Sequence, residues 1–199
     1  YECMFVPASA DFEYCGGLAA KRKSDPGSVS WGGGAAGGTY HITAGLFAKA
    51  AGVDPTKVNY IAFSGGGEAL AAILGNQVTV GICGYGEFDP HSKAGTLRII
   101  GISSDERVEG IDAPTVKEGG VDVSIQNWRM VGAAPGITAE QEAAVNADIE
   151  KMVKSESWQK ALADKGWADT YLAGDAFKEQ LKKDVASTET ILKEIGLVK

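Results

Sequence analysis

The chain predicts an α/β fold, a mainly parallel sheet flanked by helices, on three observations. A strand, a glycine-rich turn and a helix start occur twice, about 33 residues apart: 28–31 running into 32–38, and 58–63 running into 64–67. A third strand pattern, 78–83, leaves through Gly84-Tyr85-Gly86, and a fourth, 97–102, follows a short helix, as βαβ units do. At 199 residues, 44% hydrophobic and with mean hydropathy near zero, the chain can bury one good core or two small ones. No apolar run approaches the roughly 20 residues of a membrane span.

Residues 1–6 are apolar enough for a strand, closed by Pro7. A helix over 12–23 follows, weakened by Gly16-Gly17, and its basic end Lys21-Arg22-Lys23 suits the negative pole of a helix dipole. Ser24-Asp25-Pro26-Gly27 is a turn. After the first glycine turn, Ile42, Gly45, Leu46 and Lys49 keep helical period up to Gly52; after the second, 68–74 do the same. Residues 103–120 loosen into polar loop. Residues 123–134 alternate well enough for a long strand holding Asn127-Trp128-Arg129. Beyond Pro135-Gly136 the pattern turns helical. Thr138 reads as an N-cap with Gln141 as its box partner, and the helix runs to about 166 with a break near Ser155. A strand over 168–172 and an amphipathic helix over 175–195 complete the chain. Such a helical tail needs a sheet to cover, borrowed from the first half or lost upstream.

A net charge of −7 and a pI near 4.9 argue against nucleic acid and anionic membrane surfaces. They leave room for a small anion, which feels the local field of helix ends more than the net charge. Cys3, Cys15 and Cys83 are odd in number and lack C-x-x-C spacing, so they read as buried thiols, although one pair could form. The chain opens Tyr-Glu-Cys-Met-Phe, with neither initiator Met nor signal peptide, and reads as the middle of something longer.

The first glycine turn is the richest motif. Gly34, Ala35, Ala36, Gly37, Gly38 and Thr39 leave backbone N–H groups bare just where a helix begins, which is a ready site for a carboxylate. Gly32-x-Gly34-x-x-Gly37 also matches a dinucleotide fingerprint formally. The ribose-binding acid should end the next strand, however, where Ser64 stands, and Asp54 precedes that strand. No lysine follows the glycines, so a Walker-type loop is excluded. His41, in the first helical turn, reads as a capping imidazole or as a donor to a ligand carboxylate. A metal role lacks support, since His91 is the only other histidine.

Arg129, inside an apolar strand, must face solvent, pair with an acid or meet a ligand. Trp31, Trp128, Tyr40 and Tyr85 line a cleft or a core. Cys83 reads as an inert thiol, and no constellation for catalysis stands out, so neither an enzyme nor a cofactor is expected.

The run Trp31-Gly-Gly-Gly-Ala-Ala-Gly-Gly-Thr-Tyr-His-Ile-Thr-Ala-Gly-Leu-Phe resembles the solute-binding receptors of tripartite tricarboxylate transporters, the Bug family. So do Val58-Asn-Tyr-Ile-Ala-Phe-Ser-Gly-Gly-Gly-Glu-Ala-Leu-Ala-Ala-Ile-Leu-Gly, Lys93-Ala-Gly-Thr-Leu-Arg, Asp112-Ala-Pro-Thr-Val-Lys-Glu-Gly-Gly and Asn127-Trp-Arg, in the right order along nearly the whole chain. The likeness is closest to the branch associated with citrate-like ligands.

The resemblance implies a two-lobed, periplasmic-binding-protein-like fold that closes on a carboxylated metabolite. It also implies periplasmic residence and delivery to integral membrane subunits. By position, the turns from Gly34 to Thr39 and at Ser64, Gly65, Gly66 and Gly67 would grip one end of the ligand, with Tyr85 beside them. Family members carry a signal peptide and the other lobe's carboxylate loop before the position of Tyr1. Residues 1–128 would then be one complete ligand-binding lobe, and 129–199 the helical segment of a second, incomplete one. Thr79 and Tyr40 stand where relatives often have aspartate. An effector-binding domain of a transcription regulator and a nucleotide-dependent enzyme are the alternatives.

Overall fold

The computed structural model describes residues 1–25 and 27–198. Five strands form one sheet: β1 (Glu2–Pro7), β2 (Ser30–Gly33), β3 (Asn59–Ala62), β4 (Val80–Gly84) and β5 (Leu97–Ile102). Seven α-helices accompany them: α1 (Cys15–Ser24), α2 (Thr39–Ala50), α3 (Gly66–Leu74), α4 (Tyr85–Lys93), α5 (Ala139–Val153), α6 (Glu156–Lys165) and α7 (Gly174–Glu194). The chain divides into two compact units, 1–127 with 186–199, and 128–185.

The strand order is β3-β2-β4-β1-β5. β2 pairs in parallel with β3 and with β4, whereas β1 runs antiparallel to both β4 and β5. Four strands therefore point one way and β1 points against them from between. The expected mainly parallel α/β sheet is present, with the first strand reversed inside it. Reversal has a consequence for the site: the start of β1 lies at the same sheet edge as the ends of β2, β3 and β4.

β1 is apolar from Cys3 to Pro7 because both of its faces are covered. Met4 and Val6 join Trp31, Phe47, Val80, Ile82 and Ile100 on one side of the sheet. Cys3 and Phe5 join Ile73, Cys83, Phe88 and Leu97 on the other, where Phe5 and Phe88 meet edge to face with ring centroids 4.8 Å apart. The period of two along a strand sorts the side chains in this way. The end of α7 packs on α2 through Ile191, Ile195 and Ile42. Gly45 makes that approach possible, since a Cβ there would lie 2.5 Å from Ile195 Cγ2.

Two expected strands do not form. Residues 123–134 have no regular secondary structure. The alternation in its first part is real, with Val121 and Val123 buried and Asp122 and Ser124 exposed, but it belongs to an irregular strap. Ile125 N donates to Ser103 O at 3.0 Å and Ser103 Oγ to Ile125 O at 2.7 Å, which ties the strap past the end of β5 without a ladder. Residues 168–172 have no regular secondary structure, with Tyr171 and Leu172 exposed.

Within the second unit the helix signals hold. Thr138 Oγ1 accepts from Gln141 N and the Gln141 side chain accepts from Thr138 N, a complete capping box for α5. Ser155 ends that helix region and caps α6 through Trp158 N. Trp128 Nε1 donates to Asp184 Oδ2 at 2.7 Å, and its ring meets Phe177 edge to face. Among the described residues, no helix is long and apolar enough to cross a membrane.

Candidate functional site

Parallel pairing brings the ends of β2, β3 and β4 to one edge, where α2, α3 and α4 begin. Open α/β sheets bind ligands at such an edge. The first turn, between Gly33 and Thr39, is shaped by its own amides. Gly37 has φ +78°, a left-handed conformation that favours glycine, and Gly38 N donates to Ala35 O at 3.0 Å. Gly37 N donates to His41 Nδ1 at 3.2 Å, and Tyr60 Oη donates to Gly34 O at 2.8 Å. The Tyr60 ring lies flat on His41, centroids 4.2 Å apart. Two amides of the turn are thus engaged in holding it, and the opening N–H groups of α2, from Thr39 to His41, have no acceptor within their own helix.

Nδ1 accepts a hydrogen bond, so the imidazole is neutral with its proton on Nε2. Burial lowers the His41 pKa, which agrees with that state. His41 therefore fastens the turn with one nitrogen and can donate only through the other. An unfolded chain takes up a proton near pH 6.5 that the folded chain refuses until lower pH. Folding stability is thus complete above about pH 6.5 and declines as pH falls below it. Unfolding midpoints followed from about pH 7.5 to 5 should fall more steeply for the wild type than for His41→Gln; coincident profiles would refute this.

The second turn is different in charge. Phe63 N donates to Gly33 O at 2.8 Å, joining it to the first turn, but Ser64 N donates to Glu68 Oε2 at 3.0 Å. The Glu87 carboxylate of α4 lies against Gly66, where an added Cβ would run into Oε2. Two acidic side chains thus already face the N-terminus of α3. Glu87 Oε1 also accepts from Tyr40 Oη at 3.2 Å, so one carboxylate joins the beginnings of α2, α3 and α4.

At the third exit, Tyr85 Oη donates to Asp89 Oδ1 at 2.5 Å, and Asp89 pairs with Lys93 at 2.6 Å. Burial, reinforced by the bond to Asp89, pushes the Tyr85 hydroxyl up to about 12. Cys83 beneath it is a buried thiol whose pKa is raised by desolvation first and by Glu87 next, so it stays protonated.

The structure therefore gathers Gly34, Ala35, Ala36, Gly37, Gly38, Thr39, His41, Ser64, Gly65, Gly66, Gly67 and Tyr85 along one edge of the first unit. Arg129 belongs to the second unit, where it is exposed and donates to Trp128 O at 3.3 Å. Its supposed apolar strand does not exist, which removes the cost that singled it out. Trp31 is wholly buried rather than cleft-lining. Thr79 bonds Ser30 at the opposite end of β4 from the site, while Tyr40 sits at the edge itself.

Sequence reasoning did not single out Glu2, Tyr60, Glu68 or Glu87. Glu2 is buried opposite Gly84 and adds its charge to the burial that raises the pKa of Tyr40, Tyr60 and Cys83. The available signal was the acid in the first turn of α3 and of α4, against none in α2.

This topology, with three helix N-termini gathered at one sheet edge, is that of an α/β domain of the periplasmic-binding type. Residues 2–197 match the tripartite tricarboxylate transporter family receptor, and the chain belongs to that family. It is 25% identical to protein BugT of Bordetella pertussis over 90% of its own length, and spans 55% of that relative. A TctC solute binding protein from Polaromonas, crystallised without ligand, superposes with a TM-score of 0.78 at 26% identity, covering 97% of this chain and 66% of that one. An R. palustris protein solved with adipate shares the fold with a TM-score of 0.81 at 21% identity, covering 98% and 65%.

Proposed function

We propose that the chain is the ligand-gripping part of an extracytoplasmic receptor that binds a di- or tricarboxylate, citrate-like in class, and hands it to the membrane subunits of a tripartite transporter. Residues 1–127 with 186–199 form one lobe in this reading, and 128–185 are part of the other. No covalent chemistry is involved, and the place of work is the periplasm. The observation that carries the reading is the contrast between the three turns. Only α2 opens without an acid of its own, on a glycine turn fixed by Tyr60 and His41.

One ligand carboxylate therefore sits at Thr39 to His41, with Gly34 to Gly38 beneath it. Ser64 to Gly67 and Tyr85 face the body of the ligand, where Glu68 and Glu87 disfavour a second negative charge. The adipate held by the R. palustris neighbour, a chain with a carboxylate at each end, supports such a ligand. A helix N-terminus contributes roughly 0.3–1 kcal/mol to holding a carboxylate. Several donors with closure of the lobes reach micromolar affinity, about −8 kcal/mol.

A thermal-shift titration with citrate, succinate and adipate, beside glucose and NAD, tests this. Carboxylates should raise the midpoint progressively, the added stability reaching about 2.7 kcal/mol at a hundredfold excess over Kd. Glu87→Gln should bind them more tightly, roughly threefold or more, because a like charge is gone. A rise with NAD alone would overturn the transport reading, and flat curves throughout would show that these turns do not suffice.

A further inference from the structure

The three cysteines play no part in gripping an anion, yet their placement is specific. β1 and β4 are antiparallel neighbours, and their register sets Cys3 directly opposite Cys83. Opposed residues of an antiparallel pair project to the same face, with Cα atoms about 4.5–5.5 Å apart. That separation lies inside the roughly 4.4–6.8 Å that a disulfide spans. Cys3 and Cys83 accordingly share one buried cluster with Phe5 and Phe88. Cys15 lies on the other face, its Sγ 3.7 Å from Met4 Sδ, with the sheet between it and the pair. Of the three pairings that three cysteines allow, the register permits one.

We infer that Cys3 and Cys83 are the site of a cross-strand disulfide that ties the start of β1 to the end of β4 at the ligand edge. The donor is a disulfide-bearing oxidant, a thiol–disulfide oxidoreductase or oxidised glutathione. One cysteine thiolate attacks a donor sulfur, forming a mixed disulfide and releasing a donor thiolate. The second cysteine thiolate attacks its partner's Sγ, forming the Sγ–Sγ bond and expelling the remaining donor thiolate. Two thiols lose two electrons, the donor disulfide gains them, and the two protons pass to solvent.

Timing follows from burial. In the folded chain both thiols are inaccessible, and desolvation pushes Cys3 up to about 12 and Cys83 higher. Exchange in the native state is therefore slow, and the bond forms while β1 and β4 are still coming together. Once made, it is shielded from reductants by the same cluster. It holds Glu2 against Gly84, directly before Tyr85, so it also fixes the third exit of the site.

The pairing depends only on the register, and formation in the cell rests on the exported reading above. The test is therefore made in vitro, where it succeeds or fails regardless of compartment. The reduced, denatured chain is refolded in a glutathione redox buffer, denatured again, and alkylated with a maleimide before mass analysis. The expected product is lighter by two hydrogens, carries a single maleimide, and unfolds roughly 5–10 °C higher than the reduced form. Cys15→Ser should retain the link between the peptides holding Cys3 and Cys83 and take no maleimide. Three alkylated cysteines in the refolded wild type, or a link through Cys15, would overturn the inference.

Discussion

Replacing Thr39 by glutamate weakens carboxylate binding at least about fivefold and leaves the fold as stable as before, or slightly more stable. The two effects have one cause. Thr39 is the first residue of α2, half-buried, capped by a glycine that offers no side chain, in a helix whose first turn holds no acid. A glutamate there complements the positive end of the helix and gains roughly 0.3–1 kcal/mol. The same carboxylate also occupies the N–H groups meant for a ligand and repels it. Two like charges about 4 Å apart cost about 1 kcal/mol in water and about 4 kcal/mol near a protein surface, so a loss of about fivefold is the lower bound. Titration calorimetry beside urea unfolding separates the two readouts. Unchanged affinity would move the anion site elsewhere, and equal losses of affinity and stability would reduce Thr39 to a structural role.

Trp31→Ala should cost about 3–5 kcal/mol of stability. Trp31 lies on β2, flanked by β3 and β4, fully buried, with its ring 5.2 Å from that of Phe47 on α2. Its loss leaves a cavity between the sheet and the helix that carries the turn. A domain of ordinary stability, about 5–15 kcal/mol, would retain only part of it. Urea unfolding should show a lower midpoint at unchanged slope. At a temperature where the variant is still folded, carboxylate affinity should fall less than tenfold, since the ring does not reach the ligand edge. A stability loss below about 1 kcal/mol would contradict the packing described.

The glycine turns were legible in the sequence because what makes them turns is local: missing side chains between a strand and a helix. The capping box of Thr138 and Gln141 was legible for the same reason. Glu87 was not. It meets Tyr40 and Gly66 only because β2 lies between β3 and β4, and strand order leaves no mark on the neighbours of a glutamate in the chain. Direction is equally silent, so the apolar run of β1 announced a strand without announcing its reversal. Residues 123–134 misled for a related reason. Alternation records which side chains point inward, and the strap beside Ser103 points Val121 and Val123 inward with no strand to pair with. Arg129 followed that error.

The position of β1 has a consequence in time. β1 ends up inside the sheet, yet both of its neighbours, β4 and β5, lie some 80 to 100 residues further along. Until they are synthesised, Cys3-Met4-Phe5-Val6 has nothing to pair with and the sheet lacks its central strand. Contacts so distant in sequence fold slowly. The hydrophobic centre of this lobe therefore cannot close before the segments needed to close it have arrived.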